Sequence, residues 1–578
     1  MLKKKIKIGE LLIERGIITA DQLEQALGQQ WQSGKKLGRI LVEMGFVDED
    51  IMLGEIAHQL AIDYIDLKKF SFDTKLVNRL PEMYARRFLA IPLYEQEGTL
   101  YIGMSDPMDI FAHDELSRYL HQPIEVCLVK EEELLATLDL IYRRTEDIAT
   151  YAEELEEEIT EGQFNLEDLT PNEEDDDAPV VKLLKSIFED AVQVRASDIH
   201  IEPDESVLRI RQRVDGVLQE QIVKEKKITS ALVLRLKLMA GLNISEKRLP
   251  QDGRFSLIVK SKKLDVRVST MPVEYGESVV MRLLDQSGSV TSLNNVGMPE
   301  HMLAQFRRLI HLPHGLILVT GPTGSGKTTT LYGALQELNQ VGSKIITVED
   351  PVEYRLSRIN QVQVNPKIDL SFARVLRAAL RQDPDIILVG EIRDAETAEI
   401  ALRAAMTGHL VLSTLHTNDA VSSAMRLVDM GAEGFLAAAS LKAVMAQRLV
   451  RRLCDNCTED YTPDRKEKGW LESVLGKEAA TGLGLKKPVG CHRCNNTGYR
   501  GRIGVFELLV LNEHLSDALR REDSAEFVRA AKNVPGYQPL VKSALDYAIR
   551  GITSLDEVFR VSEQIDESSD YQEIPQSA

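Results

Sequence analysis

Residues 321–330 read GPTGSGKTTT: Gly321, four residues, then Gly326-Lys327-Thr328. The apolar run GLILVTG enters this stretch and a helical pattern leaves it. Glycines let backbone N–H groups wrap the phosphates of a nucleotide. Lys327 can reach the β- and γ-phosphates, and the Thr328 hydroxyl can bind Mg²⁺. The expected nucleotide-contacting set is Gly321, Pro322, Thr323, Gly324, Ser325, Gly326, Lys327, Thr328 and Thr329, with Thr328 on the magnesium. DIILVGEIRD (385–394) brings Glu391 to the carboxyl end of an apolar strand, where α/β sheets bind ligands. A carboxylate there can hold Mg²⁺ through water or orient an attacking water. TVEDPVEY (347–354) supplies Glu349, Asp350 and Glu353, and TGHLVLSTLHTN (407–418) supplies His409 and His416. Singly, each acid or histidine is more often structural; beside a phosphate loop, together, they predict chemistry.

A second constellation is made of thiols. Cys454-x2-Cys457 and Cys491-x2-Cys494 form two knuckles 33 residues apart. In a chain of cytosolic character such pairs favour tetrahedral Zn²⁺ over disulfides. Four cysteines leave no open coordination position, so the expected metal is structural. Cys127, inside IEVCLV, reads as a small buried residue.

A third is a repetition. KIGELLIERG (7–16) returns as KLGRILVEMG (36–45), 29 positions later. Each copy reads as a helix, a turn at glycine and a second helix. Thr19 precedes Gln22 with capping-box spacing, and Asp48 stands at the matching place in the second copy. Leu12, Leu23, Leu27, Leu41 and Ile56 fall at core spacing. Two like half-sites suit a two-fold-symmetric ligand such as a cyclic dinucleotide. The amides of Gly9 and Gly38 would approach its phosphates, and Gln30 and Gln59 its polar edges. Lys7, Ile8, Lys36 and Leu37 complete the two motifs. A purely structural helical repeat is the alternative.

The elements that must carry these groups fall into several domains, as 578 residues require. Hydrophobic content of 43% with 28% charged residues is ordinary for globular protein. The net charge of -20 is local: residues 145–177 hold 15 of the 90 acidic residues and no Lys or Arg. The remainder carries 70 basic against 75 acidic residues, close to balance. Residues 146–177 therefore read as an acidic linker, part helical and part disordered. Before it, 1–145 holds the helical repeat. After it, 178–288 begins with a helical pattern and continues in alternating strands, an α+β domain. From 289 to 578, short apolar strands alternate with helices, which predicts a parallel sheet of RecA-like P-loop type carrying the thiol element at 454–494. The fold class is multidomain α/β. No basic stripe with interleaved aromatics suggests a nucleic-acid polymer. No apolar run is long enough to span a bilayer and no signal-peptide core follows the basic start, so the expected location is cytoplasmic.

Residues 180–510 resemble the secretion and pilus assembly ATPase family. The resemblance rests on the phosphate loop, the aspartate box VEDPVE, the Walker B IILVGEIRD and the histidine box TGHLVLSTLHT, with RASDIHIEP, RQRVDG, LPQDGRF and DVRVSTMP before them. It implies an ATP-hydrolysing homo-hexamer that moves an inner-membrane platform protein, which places the chain at the cytoplasmic side of that membrane. It assigns Glu391 as the Walker B carboxylate and Glu353 as the candidate water activator, leaving open which is the general base. His416 takes the position that senses the γ-phosphate. Arg213, Arg254 and Arg267 look like the arginines that reach the transferred phosphoryl, although pairing with nearby acids would also explain them. The repeat resembles the cyclic di-GMP-binding amino-terminal domain of MshE-type ATPases, which implies a further contact at Asp106 in MSDPMD. One departure stands out: the family commonly has Arg where this chain has Lys7 and Lys36, and Lys cannot fork onto a guanine edge. The implied function is a motor for pilus extension regulated by cyclic di-GMP. A type II secretion motor and a nucleotide-dependent scaffold without turnover are the alternatives.

Overall fold

The computed structural model describes residues 8–33, 37–68, 70, 72–142, 145–161, 178–285 and 292–570. Two compact units form, one of residues 1–255, 267–283 and 490–496, the other of residues 256–266, 284–489 and 497–578. Among the described residues no helix is long and apolar enough to cross a membrane.

The repeat folds as its sequence indicates. Helices α1 (Ile8–Glu14) and α2 (Ala20–Ser33) are followed by α3 (Leu37–Glu43) and α4 (Glu49–Leu60). Gly16 and Gly45 make the two turns with φ of 70° and 71°, a region L side chains avoid. Thr19 N donates to Gln22 Oε1 at 2.8 Å, and Gln22 N donates to Thr19 Oγ1 at 3.3 Å, a reciprocal cap. Leu12, Ile18, Ala26, Ile40, Leu41, Val47 and Met52 close one core shared by both copies. Leu27 is an exception to the helical-spacing reading: it is 38% exposed, because short helix pairs bury only a narrow stripe.

Residues 1–145 are not helical throughout. After α4 come strands β1 (Ala90–Gln96), β2 (Thr99–Met104) and β3 (Ile124–Leu128). β1 pairs antiparallel with β2, and β2 parallel with β3. Tyr64 donates to Asp50 at 2.9 Å and Lys130 pairs with Glu49 at 2.5 Å, tying this sheet to α4. The acidic segment also differs from a free tether in its first half. Thr145–Glu161 is a helix whose Ile148, Ala152 and Leu155 are fully buried, one apolar stripe at i, i+4 and i+7. Residues 162–177 lie outside the described residues.

The α+β part carries the helix Pro179–Gln193 and a six-stranded sheet. Its strands are β4 (Asp198–Pro203), β5 (Leu208–Val214), β6 (Val217–Val223), β7 (Gln251–Val259), β8 (Lys262–Val273) and β9 (Gly276–Asp285). Their spatial order is β6-β5-β4-β9-β8-β7.

The second unit holds a seven-stranded sheet. Its strands are β10 (Gly315–Thr320), β11 (Ile345–Glu349), β12 (Asn360–Gln363), β13 (Ile386–Val389), β14 (Leu410–Leu415), β15 (Leu441–Leu453) and, after the short pair β16 (Thr458–Asp460) and β17 (Lys486–Pro488), β18 (Tyr499–Val510). The order is β12-β11-β13-β14-β10-β15-β18, all parallel except β18. Leu316 and Leu318 enter one apolar cluster, Ile317 and Val319 another. That period-two alternation, with both faces covered, is why the strands read as unbroken apolar runs. The fold is multidomain α/β, as the motif spacing predicts.

Candidate active site and metal centre

Because β10, β11, β13 and β14 are parallel, their carboxyl ends share one edge of the sheet, and the chemistry collects there. The phosphate loop joins β10 to the helix Lys327–Leu338. Gly321 and Gly326 have φ of 147° and 89°. A Cβ on Gly321 would lie 2.4 Å from Gln447 O, so both conformation and space demand glycine. The Lys327 ammonium donates to Gly321 O at 2.7 Å and Pro322 O at 3.0 Å. Burial pulls its pKa down to about 8, against the upward pull of Glu391. The Ser325 hydroxyl is buried with no hydrogen-bond partner, while Thr328 and Thr329 are exposed in the first helical turn. These hydroxyls and the Glu391 carboxylate are hard oxygen donors of the kind Mg²⁺ takes.

Glu391 follows β13 and is 9% exposed. Its Oε1 pairs with Arg393 at 2.5 Å and its Oε2 lies 3.3 Å from His416 Nε2, just past β14. Burial, then the Lys327 charge, lowers the His416 pKa below its usual value, which favours the neutral ring. Glu349 ends β11 at 4% exposure and is fully engaged, accepting from Tyr332 and Thr347 hydroxyls and from Gln361 Nε2 at 3.2 Å. Glu353 is half-buried on the following loop, where its amide donates to the Tyr332 hydroxyl at 3.3 Å. Asp350 is exposed. His409 binds Ala404 O through Nδ1 at 3.0 Å and serves the turn before β14.

Lys327, Glu391 and His416 thus lie near one another at this edge. Sequence reasoning missed Tyr332, Gln447 and Arg448, the last two on β15 against the phosphate loop. The one available signal was a polar pair inside the largely apolar LKAVMAQRLV.

The three arginines belong to the α+β sheet. Arg213 lies on β5, its Nε 3.8 Å from Asp198 Oδ2 and its Nη1 donating to Gly216 O at 3.0 Å. Asp198 also accepts from Arg282 Nε at 3.1 Å, so one carboxylate serves arginines on both neighbouring strands. Arg254 is exposed on β7 and Arg267 half-buried on β8.

The sulfurs of Cys454, Cys457, Cys491 and Cys494 all lie within 4.8 Å of one another. Cys491 and Cys494 Sγ are 3.8 Å apart. A tetrahedron with Zn–S of about 2.3 Å has S···S edges of about 3.8 Å, so the donor set fits zinc. Cys127 is 1% exposed, its thiol pushed up to about 11 by burial, an inert core residue.

In the repeat, Ile8 and Leu37 are partly buried against the shared core. Gly9 has a packing reason: a Cβ there would stand 2.6 Å from Leu23 Cδ1. Gly38 has none, since its Cβ would meet Met52 Sδ at an ordinary 3.5 Å. Gln30 is half-buried, Gln59 exposed, and the exposed Asp106 accepts from Met108 N at 3.2 Å. Lys7 and Lys36 lie outside the described residues.

A glycine cradle ahead of a helix, with acid and imidazole on neighbouring parallel strands, defines a P-loop nucleoside triphosphate hydrolase. Residues 173–560 match the family described as Type II/IV secretion system protein, and residues 60–148 match the MshEN domain, beginning after both copies of the repeat. The chain belongs to the secretion and pilus assembly ATPase family. It is 46% identical over 498 residues to the Type II secretion system ATPase E of Vibrio cholerae, covering 84% of this chain and 97% of that one. It is 40% identical over 557 residues to the Type IV pilus assembly ATPase PilB of Myxococcus xanthus, covering 96% and 98%. Among solved structures, one described as MshE with cdg is 38% identical over 24% of this chain and 99% of that one, with a TM-score of 0.23.

Proposed function

We propose that the chain is the extension motor of a type IV pilus of the MSHA kind, gated by cyclic di-GMP. The observation that carries this reading is the 29-residue repeat with one shared core, set ahead of the phosphate loop and Glu391. Residues 1–145 form the receptor, 146–177 the acidic connection, 178–288 the α+β domain and 289–578 the motor. Six copies assemble at the cytoplasmic face of the inner membrane and drive a platform protein.

ATP would meet Lys327 and the amides of the loop, with Thr328 on Mg²⁺. Mg²⁺, when bound, would supply charge neutralisation on the phosphates. Glu391, held by Arg393 and His416, is the Walker B carboxylate, and either it or Glu353 takes the proton of the attacking water. A neutral His416 reports the γ-phosphate by hydrogen bonding. Arg213, Arg254 and Arg267 stabilise charge on the phosphoryl. Cys454, Cys457, Cys491 and Cys494 would hold Zn²⁺ in a structural role, as a cross-link for the 454–494 excursion.

For cyclic di-GMP, the repeat offers Lys7, Ile8, Gly9 and Gln30 from one copy and Lys36, Leu37, Gly38 and Gln59 from the other, with Asp106 as acceptor. The support is Gly38, a glycine without a packing reason at the place where a phosphate would approach backbone. The 46% identity to a type II secretion ATPase favours a second reading, a motor for a pseudopilus. Deleting the gene separates them. Loss of surface pili with normal protein secretion supports the pilus motor; normal pili with failed secretion overturns it in favour of the second reading.

A further inference from the structure

Arg448 is 3% exposed on β15. Its Nη2 donates to Asn418 O at 2.8 Å and Asn418 Oδ1 at 2.9 Å, and its Nη1 to Gln447 O at 3.2 Å. Its Nε is buried with no partner. A buried guanidinium held mainly by neutral oxygens costs stability that an apolar side chain would not, so packing does not explain it. Burial holds its pKa down to about 10, and the acids that offset this, Glu507 and Asp419, act through space rather than by contact.

Its placement gives it a task. A Cβ on Gly321 would meet Arg448 Nη1 at 3.2 Å, so the guanidinium lies against the first residue of the phosphate loop. Asn418 is two residues beyond His416, on the loop that aims the imidazole at Glu391. The preceding residue, Gln447, accepts from Thr330 Oγ1 at 2.8 Å on the helix that follows the loop. Successive residues of one strand therefore grip opposite sides of the phosphate cradle, one of them through the histidine-box loop.

We propose that Arg448 is a positioning residue that fixes the His416 loop against Gly321, so that imidazole and phosphate loop keep one geometry. This rests on the reading of His416 as the γ-phosphate contact. The test is steady-state ATP hydrolysis by the full chain carrying Arg448→Gln, Asn418→Ala, His416→Ala, and each of the first two combined with the third. Displacement of a reacting geometry by a fraction of an ångström predicts a fall in kcat of about tenfold to a hundredfold for Arg448→Gln, with KM for ATP within about threefold. Asn418→Ala, which removes one acceptor and leaves the carbonyl, loses less, and it keeps the test alive if Arg448→Gln does not fold. In the His416→Ala background neither change adds more than about twofold, because all act through one group. Multiplying losses, or a raised KM with unchanged kcat, would overturn the proposal. A His416→Ala enzyme with wild-type kcat would overturn the reading of His416 and this inference with it.

Discussion

Substituting Gly38 by Ala isolates ligand recognition from packing. The added methyl meets Met52 Sδ at 3.5 Å, Met52 Cγ at 3.6 Å and Ile56 Cδ1 at 4.0 Å, all ordinary contacts. Removing a helical glycine stabilises by up to about 1 kcal/mol. The α3 amides should therefore exchange hydrogen as slowly as in the parent protein, or more slowly. Gly9→Ala is the control: its methyl would press on Leu23 Cδ1 at 2.6 Å and Cδ2 at 3.0 Å. The Leu23 side chain must move aside, which offsets the helix-propensity gain, so α1 should gain less protection from exchange than α3 does. If a cyclic di-GMP phosphate approaches the backbone at Gly38, the same methyl that the fold accepts must push the ligand away. A clash of about 1–3 kcal/mol lowers affinity by about 5-fold to about 150-fold. The assay is calorimetric titration of the full chain with cyclic di-GMP. A Gly38→Ala protein that binds as tightly as the parent refutes close backbone approach and returns the repeat to scaffolding.

Glu391→Gln should lower kcat by about 10²- to 10⁴-fold while a non-hydrolysable ATP analogue still binds, read by phosphate release and by titration. The Lys327 ammonium, held to about 8 by burial, is drawn back up when phosphates pair with it. ATP binding should then take up a proton above pH 8, and affinity should fall with rising pH by at most about tenfold per unit. Without nucleotide the sign for stability is opposite. Between about 8 and 10.5 the unfolded chain binds the extra proton, so this lysine's contribution to stability rises with pH, measurable against Lys327→Met. Elemental analysis should find one zinc per chain, halved or worse by Cys454→Ser, and a strong chelator should open 454–494 to proteolysis while leaving β10 to β14 protected.

The chemistry that depends on local spacing was legible in the sequence. The phosphate loop, Glu391 and His416 each announce themselves within ten residues, and parallel strands then align their ends. Arg448 was not, because its task arises from β15 lying beside β10, a pairing of residues over a hundred positions apart. Gly9 and Gly38 occupy equivalent places in the repeat yet differ in cause, which only the position of Leu23 reveals. The charge of residues 145–161 hid an apolar stripe at Ile148, Ala152 and Leu155, three residues among many acids. β1 to β3 were hidden similarly, since five- to seven-residue strands after a strong helical repeat give little periodicity to detect.

The central claim is that occupancy of the repeat governs the motor. It is tested most directly by ATP turnover of the purified full chain while cyclic di-GMP is titrated. The account predicts a saturable change in kcat whose midpoint matches the dissociation constant from calorimetry and which Gly38→Ala shifts to higher ligand. A turnover rate that stays flat through saturating cyclic di-GMP would contradict it.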